Sequence, residues 1–86
     1  MATYEVKFAT SAAKEFRSLS TELEHRIGAA IDGLSQDPRP PGVRKLVGHE
    51  RLYRIRVGRY RVVYEIDDKE QFVRITRVRH RQEAYR

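Results

Sequence analysis

The chain has 86 residues and no cysteine, and its 18 Lys and Arg residues exceed its 12 Asp and Glu residues, which gives a net charge of +6. We expect a single domain over residues 1–86, with a modest core that neither disulfides nor a thiolate metal site can stabilise. A membrane span needs about 18 consecutive apolar residues, and no apolar run in this sequence is nearly that long. The first residues also lack the apolar stretch of a signal peptide. These features exclude a membrane-spanning protein and favour a cytoplasmic one.

The first half of the chain predicts one strand followed by two helices. Residues 3–9, TYEVKFA, alternate between apolar and polar with the period of a strand. Thr10 or Ser11 can cap a first helix, and Ser20 or Thr21 can cap a second. The apolar stripes that would pack on a sheet follow helical spacing: Ala12, Phe16 and Leu19, then Leu23, Ile27, Ala30, Ile31 and Leu34.

Three further strands are predicted after a proline-rich break. Three prolines between Asp37 and Gly42 prevent the second helix from continuing. A hairpin over residues 52–66 and a last strand over residues 71–78 follow a short basic loop. The order β-α-α-β-β-β predicts an α+β fold of two layers, in which a helical hairpin packs on a twisted, mainly antiparallel four-stranded sheet.

The hairpin turn predicts the register of its two strands. Gly58 in the first central position favours a two-residue type II′ turn. One face would then be apolar, with the pairs Val57–Tyr60, Ile55–Val62 and Tyr53–Tyr64. The opposite face would carry the pairs Arg56–Arg61 and Arg54–Val63.

A second tight turn at Asp68 and Lys69 would place the last strand beside this hairpin. It predicts Val73 opposite Tyr64, Ile75 opposite Val62, Arg74 opposite Val63 and Thr76 opposite Arg61. The face away from the core would collect four arginines, Arg54, Arg56, Arg61 and Arg74. Strict alternation would add His80 to the same face.

The excess positive charge also lies in this part of the chain. Residues 51–86 hold 11 Lys and Arg against 5 Asp and Glu, whereas residues 1–50 hold 7 of each kind. Two arginines directly opposite each other in a ladder repel, and an anion lying across them would remove the repulsion. The pattern therefore predicts a phosphate-binding face. The alternative is a solvated face whose charge Glu50 and Glu65 partly neutralise.

Two stretches, LYRIRVGRYRVVYEI over 52–66 and VRITRVRHRQEAYR over 73–86, resemble the RelE/ParE superfamily of toxins from toxin–antitoxin pairs, and more closely its RelE branch. Together with the element order, the resemblance covers essentially the whole chain. It implies a bacterial or archaeal toxin that a cognate antitoxin neutralises. It also implies an endoribonuclease that cleaves mRNA, usually in the ribosomal A site, by attack of the ribose 2′-OH on the adjacent phosphate, without a metal or other cofactor.

The resemblance also implies site residues, one position at a time. Arg54 and Arg56 match two basic positions of the second strand, and Arg61 matches the arginine just after the hairpin turn. Three residues of the tail match family positions: His80, Arg81 and Tyr85.

One departure from the family concerns the proton acceptor. The best-known members carry lysine at both second-strand positions, and one of those lysines is thought to act as a base, whereas arginine stays protonated near pH 7. His80 is the best remaining candidate because its unperturbed pKa lies near 6.5, and His49 and Glu50 are alternatives. Tyr85 would stack on a base or orient the substrate, or it would simply anchor the C-terminus.

Two other functions stay open from the sequence. A ParE-type toxin would share the hairpin but inhibit DNA gyrase without cleaving RNA, and the tail at 80–85 argues against it. A nucleic-acid-binding module would use the basic face without catalysis.

Overall fold

The structure, a computed structural model, describes residues 3–48 and 51–81, which form two helices and a five-stranded sheet. The helices are α1 (Thr10–Arg17) and α2 (Thr21–Gly33), and the strands are β1 (Glu5–Phe8), β2 (Arg44–Lys45), β3 (Leu52–Val57), β4 (Tyr60–Asp67) and β5 (Phe72–His80). The sheet order is β1-β5-β4-β3-β2, with β1 parallel to β5 and the other neighbours antiparallel. The α+β class is confirmed, but the strand count is five instead of four because the two-residue β2 pairs with β3.

The two helices begin in different ways. Ser20 caps α2, since its side chain accepts a hydrogen bond from the Leu23 amide at 3.3 Å, as predicted. α1 begins without a side-chain cap, after Ala9. The prediction that Thr10 or Ser11 caps this helix is wrong, because Thr10 is already helical and the Ser11 hydroxyl lies 3.5 Å from the Thr76 carbonyl of β5.

The core lies between the helical pair and one face of the sheet. The helical layer contributes Ala12, Ile27, Ile31 and Leu34, and the sheet contributes Ile55, Val62, Tyr64, Ile66, Val73, Ile75 and Val78. The helical set lies within the predicted apolar stripes, and Ile55, Val62, Tyr64, Val73 and Ile75 lie on the predicted face of the sheet, whereas Val78 was predicted to lie on the opposite face. None of the described helices is long and apolar enough to cross a membrane.

A buried tyrosine fixes the proline-rich connection between α2 and β2. Tyr64 is 0% exposed, and its hydroxyl donates a hydrogen bond of 2.7 Å to the Pro38 carbonyl. Burial raises the pKa of this phenol above its ordinary value, so the hydroxyl remains a donor. Tyr64 thus holds the loop that leads into β2.

We expect Tyr64→Phe to lower the free energy of unfolding by about 1 to 3 kcal/mol, because a buried carbonyl would lose its donor. Urea unfolding measures this loss. Tyr53→Phe is the matched control, since Tyr53 lies directly opposite and its hydroxyl accepts from the exposed Arg39 at 3.3 Å. Equal losses in the two variants would contradict the prediction.

A second polar cluster ties the same loop to the turn after β4. Arg39 donates to both carboxylate oxygens of Asp68, at 3.1 and 2.9 Å, and the Tyr4 hydroxyl donates to one of them at 2.6 Å. The hydrogen bonds from Arg39, followed by the one from Tyr4, lower the pKa of Asp68 to about 2. The cluster therefore stabilises the fold only while Asp68 is ionised.

We expect this contribution to be present above the unfolded-state pKa of about 3.9 and to vanish as the pH falls through about 2. The difference in unfolding free energy between the native chain and Asp68→Asn should shrink over this interval. Urea unfolding at several pH values measures it, with Glu70→Gln in the same turn as a control. A difference that is constant between pH 7 and pH 2 would refute the assignment.

Candidate nucleic-acid interface

The β3–β4 hairpin has the predicted register. Arg56 pairs with Arg61, and Arg54 pairs with Val63. Gly58 has a φ of 60°, as the first central position of a type II′ turn requires. Arg26 of α2 lies against this turn, with Nη2 3.2 Å from the position that a Cβ on Gly58 would occupy. The backbone angle favours glycine, whereas the exposed Arg26 side chain could move to make room for a Cβ.

The turn between β4 and β5 is longer than predicted. The Asp67 carboxylate accepts from the Glu70 amide at 2.8 Å, and Gln71 has a φ of 57° before β5 begins. The partners are therefore shifted by two residues, so that Arg74 lies opposite Glu65 and forms a salt bridge with it at 3.2 Å. The predicted pairs Val73–Tyr64, Ile75–Val62, Arg74–Val63 and Thr76–Arg61 are therefore wrong, although Arg74 lies on the face away from the core, as predicted, because Val73 and Ile75 are buried.

A β-bulge then reverses which side chains of β5 face the core. Val63 pairs with Arg77 and Tyr64 pairs with Ile75, so Thr76 is an additional residue in β5, and its hydroxyl donates to the Val63 carbonyl at 3.1 Å. Beyond the bulge, the face away from the helices carries Arg77 and Arg79, which lie opposite Val63 and Arg61.

The bulge also decides the position of His80. This residue pairs with Tyr60, and the two rings meet edge to face with centroids 5.4 Å apart. Tyr60 packs against the core, so His80 lies on the helical side of the sheet. The prediction that His80 shares a face with the arginines is wrong, because strict alternation fails at Thr76.

The side of the sheet away from the helices carries Arg74, Arg77 and a group of six further arginines. We call these six the arginine face: Arg44, Arg54, Arg56, Arg61, Arg79 and Arg81. The ladder pairs Arg44 with Arg54, Arg56 with Arg61, and Arg61 with Arg79. Arg81 is close enough to lower the pKa of Arg61 through its charge. Four adjacent strands and the residue after β5 thus contribute to one basic surface.

The electrostatics of this face favour an anion. Arg61 is only 9% exposed, and burial, followed by the charges of Arg54, Arg56 and Arg81, lowers its pKa below the ordinary value. Burial also lowers the pKa of Arg54, with smaller effects from Arg56 and Arg44. A guanidinium remains charged near neutral pH despite such shifts. The charges therefore repel one another, and a bound phosphate would relieve the repulsion.

Most salt bridges between the described residues involve arginines that lie outside the arginine face. Arg39 pairs with Asp68, Arg51 with Asp67, Arg74 with Glu65, and both Arg77 and Arg79 with Glu15. These salt bridges hold Arg79 of the arginine face and four arginines outside it.

The predicted site residues are only partly brought together. Arg54, Arg56, Arg61 and Arg81 share the arginine face, whereas His80 does not. Tyr85 and the alternative bases His49 and Glu50 lie outside the described residues. The sequence analysis missed Arg44 and Arg79. The charged pair RK in the loop before β3 was the available signal for Arg44, but the bulge that orients Arg79 leaves no comparable pattern.

Comparisons with known proteins agree with this architecture. A family model described as the ParE toxin of the type II toxin–antitoxin system parDE matches residues 6–85. Toxin RelG of Mycobacterium tuberculosis is 36% identical over 87 residues, which cover 96% of this chain and 97% of that protein.

Solved structures are similar over nearly the whole chain. In the archaeal RelE–RelB complex from Pyrococcus horikoshii OT3, the matched chain has a TM-score of 0.81 and 33% identity, covering 92% of this chain and 96% of that chain. The isolated E. coli RelE toxin has a TM-score of 0.80 and 28% identity, covering 95% and 90%.

Matches of this extent establish the class of the protein, a toxin of a type II toxin–antitoxin system. The chain belongs to the RelE/ParE superfamily of these toxins.

Proposed function

We propose that the chain is a single toxin domain over residues 1–86 that acts in the cytoplasm as an endoribonuclease. Its substrate is mRNA, cleaved in the ribosomal A site. The 2′-OH of one ribose attacks the adjacent phosphate, the bond to the 5′-oxygen of the next nucleotide breaks, and no metal is required. The products are a 2′,3′-cyclic phosphate and a new 5′-OH end.

The arginine face is the observation that supports this proposal. Attack by the 2′-OH adds negative charge to the phosphate, and positive groups already in place stabilise that charge without reorganising. Arg61 is the central group because it is buried among other arginines on neighbouring strands. Arg54 and Arg56 flank it on β3, where their forked donors suit phosphate oxygens.

The tail that follows β5 is proposed to assist the leaving 5′-oxygen and to hold the substrate. Arg81 lies beside Arg61 and would stabilise the leaving oxygen, and Tyr85 would stack on a base or orient the substrate. His80 would have to leave its contact with Tyr60 to reach the phosphate. We therefore expect His80→Ala to slow cleavage less than Arg61→Ala does.

A cognate antitoxin is the proposed protein partner. Two of the similar solved structures are complexes of a RelE toxin with RelB, from Pyrococcus horikoshii and from E. coli. A segment with acidic or apolar side chains would complement the basic sheet. Its binding would block the arginine face or displace the tail.

DNA gyrase is the second candidate target, because the matching family model is described as a ParE toxin. A ParE-type toxin would inhibit gyrase without cleaving RNA. The arginine face would then contact protein or DNA.

Induction of the chain alone in bacteria, followed by mapping of mRNA 5′ ends, separates the two functions. We expect new 5′-OH ends within translated regions, and we expect Arg61→Ala and Tyr85→Ala to remove them. Growth arrest without new ends, accompanied by loss of supercoiling activity of purified gyrase, would establish the second candidate instead.

A further inference from the structure

The outer edge of β5 has two different neighbours along its length. β1 pairs with it only from Phe72 to Ile75. Beyond that point α1 takes the place of a strand, and its Glu15 carboxylate accepts from the Val78 amide at 2.9 Å. One carboxylate oxygen thus provides the acceptor that a neighbouring backbone carbonyl would otherwise supply.

The other oxygen of Glu15 contacts two arginines of the same strand. The Arg79 Nε donates to it at 2.7 Å, and Arg77 Nη1 lies 3.5 Å away. Glu15 is partly buried, with 21% of its side chain exposed, so solvent screens these contacts less than at an open surface. Arg79 pairs directly with Arg61 across the ladder. Glu15 therefore orients a neighbour of the central arginine.

We propose that Glu15 is a positioning residue of the arginine face. It acts through the Val78 amide and the Arg79 guanidinium, and it keeps the strand after the bulge in the geometry that presents Arg79 and Arg81 beside Arg61. This inference rests on the proposed ribonuclease function. It makes α1 part of the site, although α1 itself lies in the helical layer.

The position of Glu15 predicts opposite effects on binding and on cleavage. Its carboxylate is a negative charge near a surface that binds a polyanion, so its removal should leave RNA affinity unchanged or increase it. The same removal should slow cleavage, because a displacement of about 1 Å in a positioning group can cost about 10²-fold in rate. Partial unfolding alone would not raise affinity.

The test compares Glu15→Ala and Glu15→Gln with the native chain, and uses Glu24→Gln as a control that removes the same charge from an exposed position on α2. Steady-state cleavage of ribosome-bound message gives kcat and KM. Hydrogen exchange of the Val78 amide reports the contact directly. We expect Glu15→Ala to lower kcat about 10- to 10²-fold with an unchanged or lower KM and faster exchange at Val78.

Glu15→Gln should lower kcat less than Glu15→Ala does. Its amide oxygen still accepts a hydrogen bond from the Val78 amide, although the negative charge beside Arg79 is gone. The inference is overturned if Glu15→Ala keeps its kcat, or if it loses activity only in proportion to its folded fraction with Val78 exchange unchanged. If the native chain cleaves no RNA, the proposed function fails. Val78 exchange and RNA affinity, measured in the same variants, then still decide whether Glu15 holds this strand.

Discussion

Arg61→Ala is expected to abolish growth arrest and to lower RNA cleavage by about 10²- to 10³-fold while the chain remains folded, since removal of one preorganised donor to a developing oxyanion has an effect of this size. Burial and three neighbouring arginines already oppose the charge at this position. Losing the guanidinium removes this repulsion, but it also removes the packing of a side chain that is only 9% exposed. We therefore expect the variant to remain folded, with a somewhat lower thermal midpoint than the native chain.

Arg17→Ala provides the matched control for this variant. Arg17 is exposed at the end of α1, in the helical layer, so its loss changes the net charge by the same amount without touching the arginine face. Growth arrest on induction and cleavage of translated message measure both variants, and circular dichroism confirms that they are folded. A folded Arg61→Ala protein that still arrests growth would remove this residue from the site.

RNA binding is expected to weaken steeply with salt. For single-stranded nucleic acid, the logarithm of affinity falls with the logarithm of salt concentration by about 0.7 for each phosphate neutralised. Contacts to about five phosphates would give a slope of about −3.5 and a loss of about 10²-fold between 50 and 200 mM salt. Fluorescence anisotropy with a short RNA whose 2′-OH groups are replaced measures affinity without cleavage.

Single substitutions make the salt prediction specific to the arginine face. Arg56→Gln should reduce the magnitude of the slope by about 0.7, because one ionic contact is lost. Arg17→Gln should leave the slope unchanged, because it alters net charge but not the proposed interface. A flat salt response of the native chain, or equal changes in the two variants, would speak against a phosphate-lined face.

The hairpin could be predicted residue by residue because local rules determine it. Gly58 selects a turn with two central residues, and the alternation of apolar side chains then leaves one register that buries a complete face. The same logic found the buried stripe of α2, where Ile27 and Ile31 are one helical turn apart. In both elements, a short repeat in the sequence corresponds to a single face of the structure.

The last strand could not be predicted in this way, because its register depends on backbone irregularities. Asp67 and Gln71 produce a longer turn than the one expected, and Thr76 bulges from the ladder. Each feature shifts which residue of β4 lies opposite a given residue of β5. The bulge also moves the side chains that follow it to the opposite face of the sheet. Strict alternation therefore predicted the correct face of the sheet for Val73 and Ile75 and the wrong face for His80. The role of Glu15 depends on contacts between residues about 60 positions apart, which no local pattern encodes.

The two edges of the sheet also bear on how copies of the chain behave toward one another. β2 is two residues long, and both Arg44 and Lys45 are exposed. β1, at the opposite edge, is four residues long and carries the charged side chains of Glu5 and Lys7. Short edge strands with charged side chains are poor templates for a strand from another molecule. The fold therefore presents a broad open sheet while resisting the edge-to-edge pairing that leads to aggregation.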